Sequence, residues 1–308
     1  MADEFGRVAV LMGGDSSERE ISLLSGNAVL EALLTSGVDA IGIDTGKDFF
    51  AAISGEIFDR AFIMLHGSHG EDGRVQAVLD LMNIPYTGSG HMASALAMDK
   101  VRSKLIWMAQ GLPTPEFELL YDSTDWQAVI DRLGDCFVKP VNDGSSLGIK
   151  QANDPESLKE AFEYACQFDD VVMAESKIEG PEYTVPIVNR QVLPAIELRP
   201  KNAFYDYEAK YEADDTEYLC PCDLNDEEDQ SIRSLSGEAY QLIGCEGWGR
   251  VDLMRDREGT FWLLEVNTVP GMTSHSLVPK SASVAGMDFN TLVLEILKGS
   301  LQKEVQDR

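Results

Sequence analysis

The sequence predicts an α/β protein with two or three domains. A buried strand at residues 7–12 runs into Gly13-Gly14 and then into a helix with apolar spacing, which is how an α/β unit begins. Further apolar strands and amphipathic helices follow along the chain. The length of 308 residues is enough for two or three hydrophobic cores of ordinary size.

The first unit contains one helix and three predicted strands. Ser17 and Glu20 form a capping-box pattern, and the helix that they open is expected to reach Gly37. Strands at residues 39–43 and 61–65 continue the sheet. The unit is therefore expected to be a parallel α/β domain.

The third strand ends in a loop that is rich in histidine and glycine, at residues 66–73 (HGSHGEDG). Ligand sites of α/β sheets gather at the carboxyl ends of strands. His66 is either a substrate contact or a loop histidine that caps local carbonyl groups. Glu18, in the first turn of the helix, either offsets the helix dipole or acts in the site.

A glycine pattern at residues 88–93 (GSGHMA) fits the relaxed dinucleotide fingerprint. The preceding residues 84–87 are too short and proline-interrupted for the first strand of such a site, and no second strand with a terminal acidic residue follows. We therefore expect a loop that crosses between domains. One helix is predicted over residues 92–110, and Lys100 on it would by itself be a surface lysine.

Residues 136–149 (CFVKPVNDGSSLGI) predict a strand that carries Lys139, a glycine- and serine-rich loop, and another strand. Free backbone N–H groups, two hydroxyls and a lysine suit phosphate oxygens. The loop is not a Walker A sequence, because no G-x-x-x-x-G-K-[ST] occurs and no helix follows. A flexible hairpin turn is the alternative. Asp154-Pro155 then begin a helix that ends near Phe168.

The next part of the chain reads as strands around a polar linker. Strands are expected at residues 171–175, 182–188 and 191–198, the last of which pairs back on the one before it. The aromatic, charged residues 204–211 have no clear periodicity and are typical of a lid. An amphipathic helix is predicted over residues 226–244.

A hairpin that turns at residues 256–259 carries the most informative polar pattern. If the turn is symmetric, Arg250, Asp252, Glu265 and Asn267 lie on one face of two otherwise apolar strands. Carboxylate and amide oxygens are the ligands of Mg²⁺, which shares its coordination shell with substrate phosphates. A solvated face of an edge hairpin is the less favoured alternative, since such a face would carry Lys or Glu rather than Asn. One more helix is expected near residues 289–297.

Composition limits the kinds of binding partner and the cellular compartment that are expected. The chain carries 53 acidic and 25 basic residues, for a net charge of −28, which argues against a nucleic-acid or anionic-membrane partner. The five cysteines are odd in number and scattered, which favours a reducing cytoplasm over a disulfide framework. No signal peptide or membrane span is predicted.

Taken in order, eight motifs resemble the D-alanine–D-alanine ligases, which are ATP-grasp enzymes. The motifs are GG with SERE (residues 13–20), HG with GEDG (66–73), MDK (98–100), KP (139–140), GSSLG (144–148), YDYEAKY (205–211), GRVD (249–252) and EVN through GMTSHS (265–276). Each motif alone is weak, but the series in this order is specific.

The resemblance implies a three-domain ATP-grasp fold, with domains at residues 1–90, 91–180 and 181–308. It implies that the carboxylate of one D-alanine attacks the γ-phosphorus of ATP and that the amine of a second attacks the D-alanyl phosphate, for peptidoglycan synthesis. It also implies a cytoplasmic homodimer. The alternatives are a related ligase with D-lactate or another D-amino acid as acceptor, and an ATP-binding module without catalysis.

The resemblance also implies roles for individual residues. Asp252, Glu265 and Asn267 would hold two Mg²⁺ or Mn²⁺ ions. The ATP contacts would be Lys100, Lys139, Glu175, Ile178, Glu182, Phe204, Lys210 and Met254. The D-alanine contacts would be Glu18, His66, Arg250, Ser276 and Leu277, the last two at the start of a helix.

Three further features of the reaction follow from the resemblance, and one residue departs from it. Arg250 and the N–H of Gly271 would face the tetrahedral oxyanion. Glu18, Ser145 and Tyr211 would form a hydrogen-bonded triad that closes over the site. The tyrosine favours an amine over a hydroxyl acceptor, because relatives that make the D-lactate ester lack it. One departure from the family is Ser176, where many relatives have a lysine.

Overall fold

The computed structural model describes residues 4–46, 48–142, 148–199 and 216–306. Within these residues the chain forms three sheets, and each sheet is made of strands that follow one another along the chain. The α/β class predicted from the sequence is confirmed, because the described residues combine one parallel sheet, two antiparallel sheets and the helices that pack on them.

The first sheet is parallel, with strand order β2-β1-β3. Every residue of its central strand is buried, and α1 packs against β1 and β2. The elements are β1 (Val8–Met12), α1 (Arg19–Thr35), β2 (Ala40–Asp44), α2 (Phe49–Ser54), β3 (Arg60–Ile63) and α3 (Arg74–Leu81).

Two local predictions about helices are wrong. The Ser17–Glu20 capping box does not form, since Glu18 is the N-cap of α1 and no side chain caps that end. The single helix predicted over residues 92–110 is two helices, α4 (His91–Met98) and α5 (Lys100–Ala109). Asp99 separates them because its backbone is extended (φ −86°, ψ 99°) and its carboxylate accepts a hydrogen bond from the N–H of Arg102.

The second sheet is antiparallel, with strand order β4-β7-β5-β6. Two helices pack on one of its faces, and the second of them begins with the expected Asp154-Pro155 start and a capping box. The elements are β4 (Phe117–Leu120), α6 (Trp126–Leu133), β5 (Cys136–Pro140), β6 (Lys150–Ala152), α7 (Pro155–Ala165) and β7 (Val172–Ser176).

The third sheet is also antiparallel, with order β11-β10-β8-β12-β13 and β9 paired to β8. Its strands are β8 (Glu182–Val188), β9 (Gln191–Val192), β10 (Ile196–Arg199), β11 (Glu217–Leu219), β12 (Trp248–Arg255) and β13 (Phe261–Asn267). Helix α8 (Asp226–Leu242) packs with α4 and α5 on its apolar face. The last two helices, α9 (Leu277–Val284) and α10 (Phe289–Gln306), contribute to the core of the first sheet.

The hairpin of β12 and β13 contains a β-bulge that decides which side chains share a face. Near the turn, Leu253 pairs with Leu263, and uninterrupted pairing would place Glu265 beside Val251 on the apolar face. The register shifts between Leu253 and Asp252, so that Asp252 pairs with Glu265. The predicted polar face is therefore confirmed, although the symmetric turn from which it was predicted is wrong.

Within the described residues, no helix combines the length and the apolar character that crossing a membrane requires. The domain boundaries stay a prediction. The helices of residues 91–109 pack on the third sheet, although the predicted boundary at residue 91 assigns them to the domain that contains the second sheet.

Candidate active site

The polar face of the β12–β13 hairpin is built around a buried aspartate. The guanidinium of Arg250 donates from Nε to Oδ1 of Asp252 at 2.8 Å and from Nη2 to Oδ2 at 2.7 Å. Thr184, on the neighbouring strand β8, donates its hydroxyl to Oδ1 at 2.5 Å. Two residues apart on one strand, Arg250 and Asp252 face the same side, and the bidentate pair fixes both side chains.

The same face offers oxygen ligands that fit a divalent metal. Asp252 pairs with Glu265 and Arg250 with Asn267 across the hairpin, so two carboxylates and an amide are neighbours. A carboxylate has about four lone-pair sites, and the three hydrogen bonds to Asp252 leave one on Oδ2 for a cation. Among the described residues no group of three His, Cys, Asp or Glu side chains gathers for a metal, and here the third oxygen belongs to an amide.

Lys100 reaches this face from the first turn of α5. Its Nζ lies 3.3 Å from Oε2 of Glu265, and its side chain is buried because α5 packs against β13. The sequence alone would leave this lysine on the surface. Its position next to a predicted metal ligand places a fixed positive charge beside the polar face.

A second cationic cluster surrounds Glu175 on β7. Lys139, on the neighbouring strand β5, donates to Oε1 of Glu175 at 2.7 Å, and Lys104 from α5 pairs with Oε2. Burial by itself would raise the pKa of Glu175, but the two ammonium groups outweigh it and hold the pKa below its usual range. The carboxylate of Glu175 thus forms ion pairs with two lysines. Lys104 is a residue that the sequence reading missed, although its spacing of four from Lys100 puts both on one helix face.

The remaining predicted nucleotide contacts lie around the junction of the second and third sheets. Ile178 is in the linker after β7, and Glu182 begins β8. Glu182 pairs directly with Met254 of β12, so these two side chains lie on one face of the third sheet. Ser176, in the place of the family lysine, donates its hydroxyl to the carbonyl of Leu133 at 3.2 Å.

The loop after β3 brings two predicted substrate residues together. Glu18 is buried at the N-cap of α1, where a Cβ on Gly67 would lie 2.8 Å from its Oε2. Nδ1 of His66 lies 2.8 Å from the carbonyl of Val269 and 3.8 Å from Glu71. Burial lowers the pKa of His66, but the nearby carboxylate of Glu71, with the charge of Glu18 and the hydrogen bond to the Val269 carbonyl, reverses this and leaves the pKa raised.

The predicted second-substrate residues lie at the start of α9. Ser276 is the N-cap of this helix and Leu277 is its first residue, as expected. The Ser276 hydroxyl accepts a hydrogen bond from the N–H of Thr273 at 2.9 Å, and a Cβ on Gly271 would come 2.9 Å from it. The helix start and Gly271 therefore form one tight loop.

Ser25 connects the two substrate loops and was not predicted from the sequence. Its hydroxyl accepts from the N–H of Met272 at 3.1 Å and lies 3.5 Å from Nε2 of His66. Ser25 is fully buried on α1, where a small residue in an amphipathic helix gives no signal of function. It fixes the loop that carries Gly271 against the loop that carries His66.

Four predicted site residues lie outside the described residues: Ser145, Phe204, Lys210 and Tyr211. Two members of the predicted triad are among them, so the triad stays a prediction. The described residues provide cations beside oxygen ligands on the hairpin face, and the loop that follows β13 contacts the loop at His66 and Ser25 of α1.

Comparisons with known proteins give one consistent result. Two family models match, described as the N-terminus of D-ala D-ala ligase over residues 49–89 and its C-terminus over residues 106–298. A D-alanine–D-alanine ligase of Saccharophagus degradans is 54% identical over 297 residues, which cover 96% of this chain and 95% of that protein.

Solved structures agree with the sequence relatives. A D-alanine–D-alanine ligase of Bacillus anthracis complexed with ATP superposes with a TM-score of 0.87 at 32% identity, covering 98% of this chain and 100% of that one. A D-Ala:D-Ser ligase of Enterococcus faecalis superposes with a TM-score of 0.84 at 27% identity, covering 96% and 99% of the two chains.

Proposed function

The chain belongs to the D-alanine–D-alanine ligase family and is an ATP-dependent ligase, and we propose that the hairpin face described above is where it couples two D-alanines. D-alanyl-D-alanine serves peptidoglycan synthesis. The observation that carries the placement is the register of β12 and β13, which sets Arg250, Asp252, Glu265 and Asn267 on one face beside Lys100.

In the first step the carboxylate of one D-alanine attacks the γ-phosphorus of ATP, which forms D-alanyl phosphate and releases ADP. Glu18, buried beside the loop at His66, attracts the ammonium group of this D-alanine. Lys100 and Lys139 offset the negative charge of the phosphates. Fixed charges act strongly here because both ammonium groups are buried, away from competing water.

In the second step the amine of another D-alanine attacks the acyl carbon of D-alanyl phosphate. A peptide bond forms, the C–O bond to phosphate breaks, and the amine loses a proton. Arg250 and the N–H of Gly271 stabilise the negative oxygen of the tetrahedral intermediate, a contribution of about 10²–10³ in rate for one such donor. The start of α9, at Ser276 and Leu277, receives the carboxylate of the second D-alanine.

Two Mg²⁺ or Mn²⁺ ions are proposed at Asp252, Glu265 and Asn267. When bound, such ions offset charge on the phosphates of ATP. The role of the protein is to hold the side-chain oxygens of these three residues in position for the ions. Arg250 and Thr184 hold the Asp252 carboxylate, and Lys100 holds that of Glu265.

Three further expectations, on the domains, the location and the oligomeric state, are proposals as well. We retain the division into domains at residues 1–90, 91–180 and 181–308. A cytoplasmic location is supported by the five cysteines, all within the described residues and all free thiols. A homodimer is supported by apolar side chains exposed on three helices that pack in series: Leu81 on α3, Met92 on α4 and Leu105 on α5. Light scattering of the purified protein tests the homodimer.

A coupled ADP-release assay with Mg²⁺ and a panel of acceptors tests the function. D-alanine alone should support turnover, and mass spectrometry should find D-alanyl-D-alanine. D-lactate outcompeting D-alanine at neutral pH would favour the depsipeptide alternative. ADP release that does not depend on any D-amino acid would favour a nucleotide-binding module instead.

A further inference from the structure

Lys104 is a fully buried cation that the proposed mechanism does not use. It lies on α5, one turn after Lys100, with 0% of its surface exposed. A buried ammonium is costly unless it is paired and hydrogen-bonded. Its surroundings must therefore explain why a lysine rather than an apolar residue occupies this position.

Three oxygen atoms lie around the Lys104 ammonium. It pairs with Oε2 of Glu175 on β7, donates to the hydroxyl of Thr114 at 2.6 Å and lies 3.5 Å from the carbonyl of Leu263 on β13. The hydroxyl of Thr114 in turn donates to the same carbonyl at 2.8 Å. Lys104 thereby joins the strand that carries Glu175 to the strand that carries Glu265.

The charge of this cluster depends on Lys104. Glu175 holds Lys139 through Oε1 and Lys104 through Oε2, so two cations share one carboxylate and one net positive charge remains. Without Lys104, Glu175 would neutralise Lys139 completely. The phosphates of a nucleotide near Lys139 would then meet a neutral ion pair.

We propose that Lys104 is a positioning residue for the nucleotide: it occupies half of the Glu175 carboxylate, so that Lys139 keeps its charge for the phosphates. This inference rests on the proposed ATP site at Lys139. A purely structural role is the competing explanation. That role predicts a loss of stability when Lys104 alone is replaced, with no selective loss of phosphate binding.

The nucleotide-binding test compares ADP with adenosine, measured by calorimetry in the presence of Mg²⁺. Lys104→Met should weaken ADP binding about tenfold, because a unit charge about 10 Å from an anion changes its affinity by that amount at an effective dielectric constant near 20. Adenosine has no phosphate, and its binding should not change. Lys159→Met is the matched control, since Lys159 lies exposed on α7 beside Glu163, and ADP binding should be unaffected.

Lys139→Met separates the failure of this inference from that of the proposed site. If Lys139→Met weakens ADP binding and Lys104→Met does not, the inference about Lys104 is wrong and the ATP site stands. If neither substitution affects ADP, the proposed ATP site itself is wrong. If Lys104→Met weakens adenosine and ADP equally, the residue is structural.

The unsubstituted protein provides a second measurement if Lys104→Met does not fold. Burial, opposed mainly by Glu175, lowers the pKa of Lys104 to about 8, and the other charges that act on it are Lys139 and Glu265. The affinity for ADP should therefore decline as pH rises through about 8, while that for adenosine stays constant. A flat ADP profile between pH of about 7 and about 9 would contradict the proposal.

Discussion

Replacing Asn267 with alanine separates a role in metal binding from a role in folding. Among the described residues, its side-chain oxygen accepts a hydrogen bond from the N–H of Val269 at 3.2 Å. Losing one such bond costs about 1 kcal/mol of stability. Losing a metal ligand should lower turnover by at least about 100-fold, since even groups that only support a ligand are worth about 10–100-fold in affinity or activity.

The matched control is Asn225→Ala, the same substitution at a helix N-cap outside the hairpin. Asn225 caps α8 and accepts from the N–H groups of Glu227 and Glu228, each at 3.0 Å, so its loss should cost about 1–2 kcal/mol. Urea unfolding measures stability, and ADP release at saturating ATP and D-alanine measures turnover. The control should lose as much stability as Asn267→Ala but no turnover. Near-normal turnover of Asn267→Ala would refute its place in the metal site.

Three other perturbations address the His66 loop and the predicted triad. Gly67→Ala should raise KM for the first D-alanine about tenfold, because the new Cβ would lie 2.8 Å from Oε2 of Glu18. The control is Gly111→Ala, which has a similar positive φ and open space around it and should not change KM. Tyr211→Phe should raise the ratio of D-lactate to D-alanine turnover, and an unchanged ratio would count against the triad. His66 has a pKa raised above 6.5, so its stabilising charge is fully present below that pH and is lost as pH rises through the folded-state pKa. Urea unfolding should show this decline in the native protein and not in His66→Gln.

Much of the site could be predicted from the sequence because its chemistry concentrates in short, ordered motifs. The polar face of the hairpin was predicted from residue parity alone, and it was correct only because the bulge between Asp252 and Leu253 offsets the asymmetric turn. A bulge depends on how two strands twist together, which alternation along one strand does not reveal. Two errors in local geometry therefore cancelled.

Residues that act through others were not predictable in the same way. Thr184 and Ser25 are small polar residues inside apolar segments, and their roles depend on contacts with Asp252 and Met272, far away in sequence. Lys104 carried a usable signal, since it follows Lys100 by one helical turn. The break at Asp99 was missed because apolar spacing continues across it, although an aspartate before a helix is a known cap.

The location of the metal ions on the hairpin face is tested most directly by titrating Mn²⁺ into the protein with ADP and following free Mn²⁺ by electron paramagnetic resonance. The native chain should hold two ions tightly. Glu265→Ala should hold fewer, while keeping its fold by circular dichroism. Two tightly held ions in both proteins would contradict the assignment of Glu265 as a metal ligand.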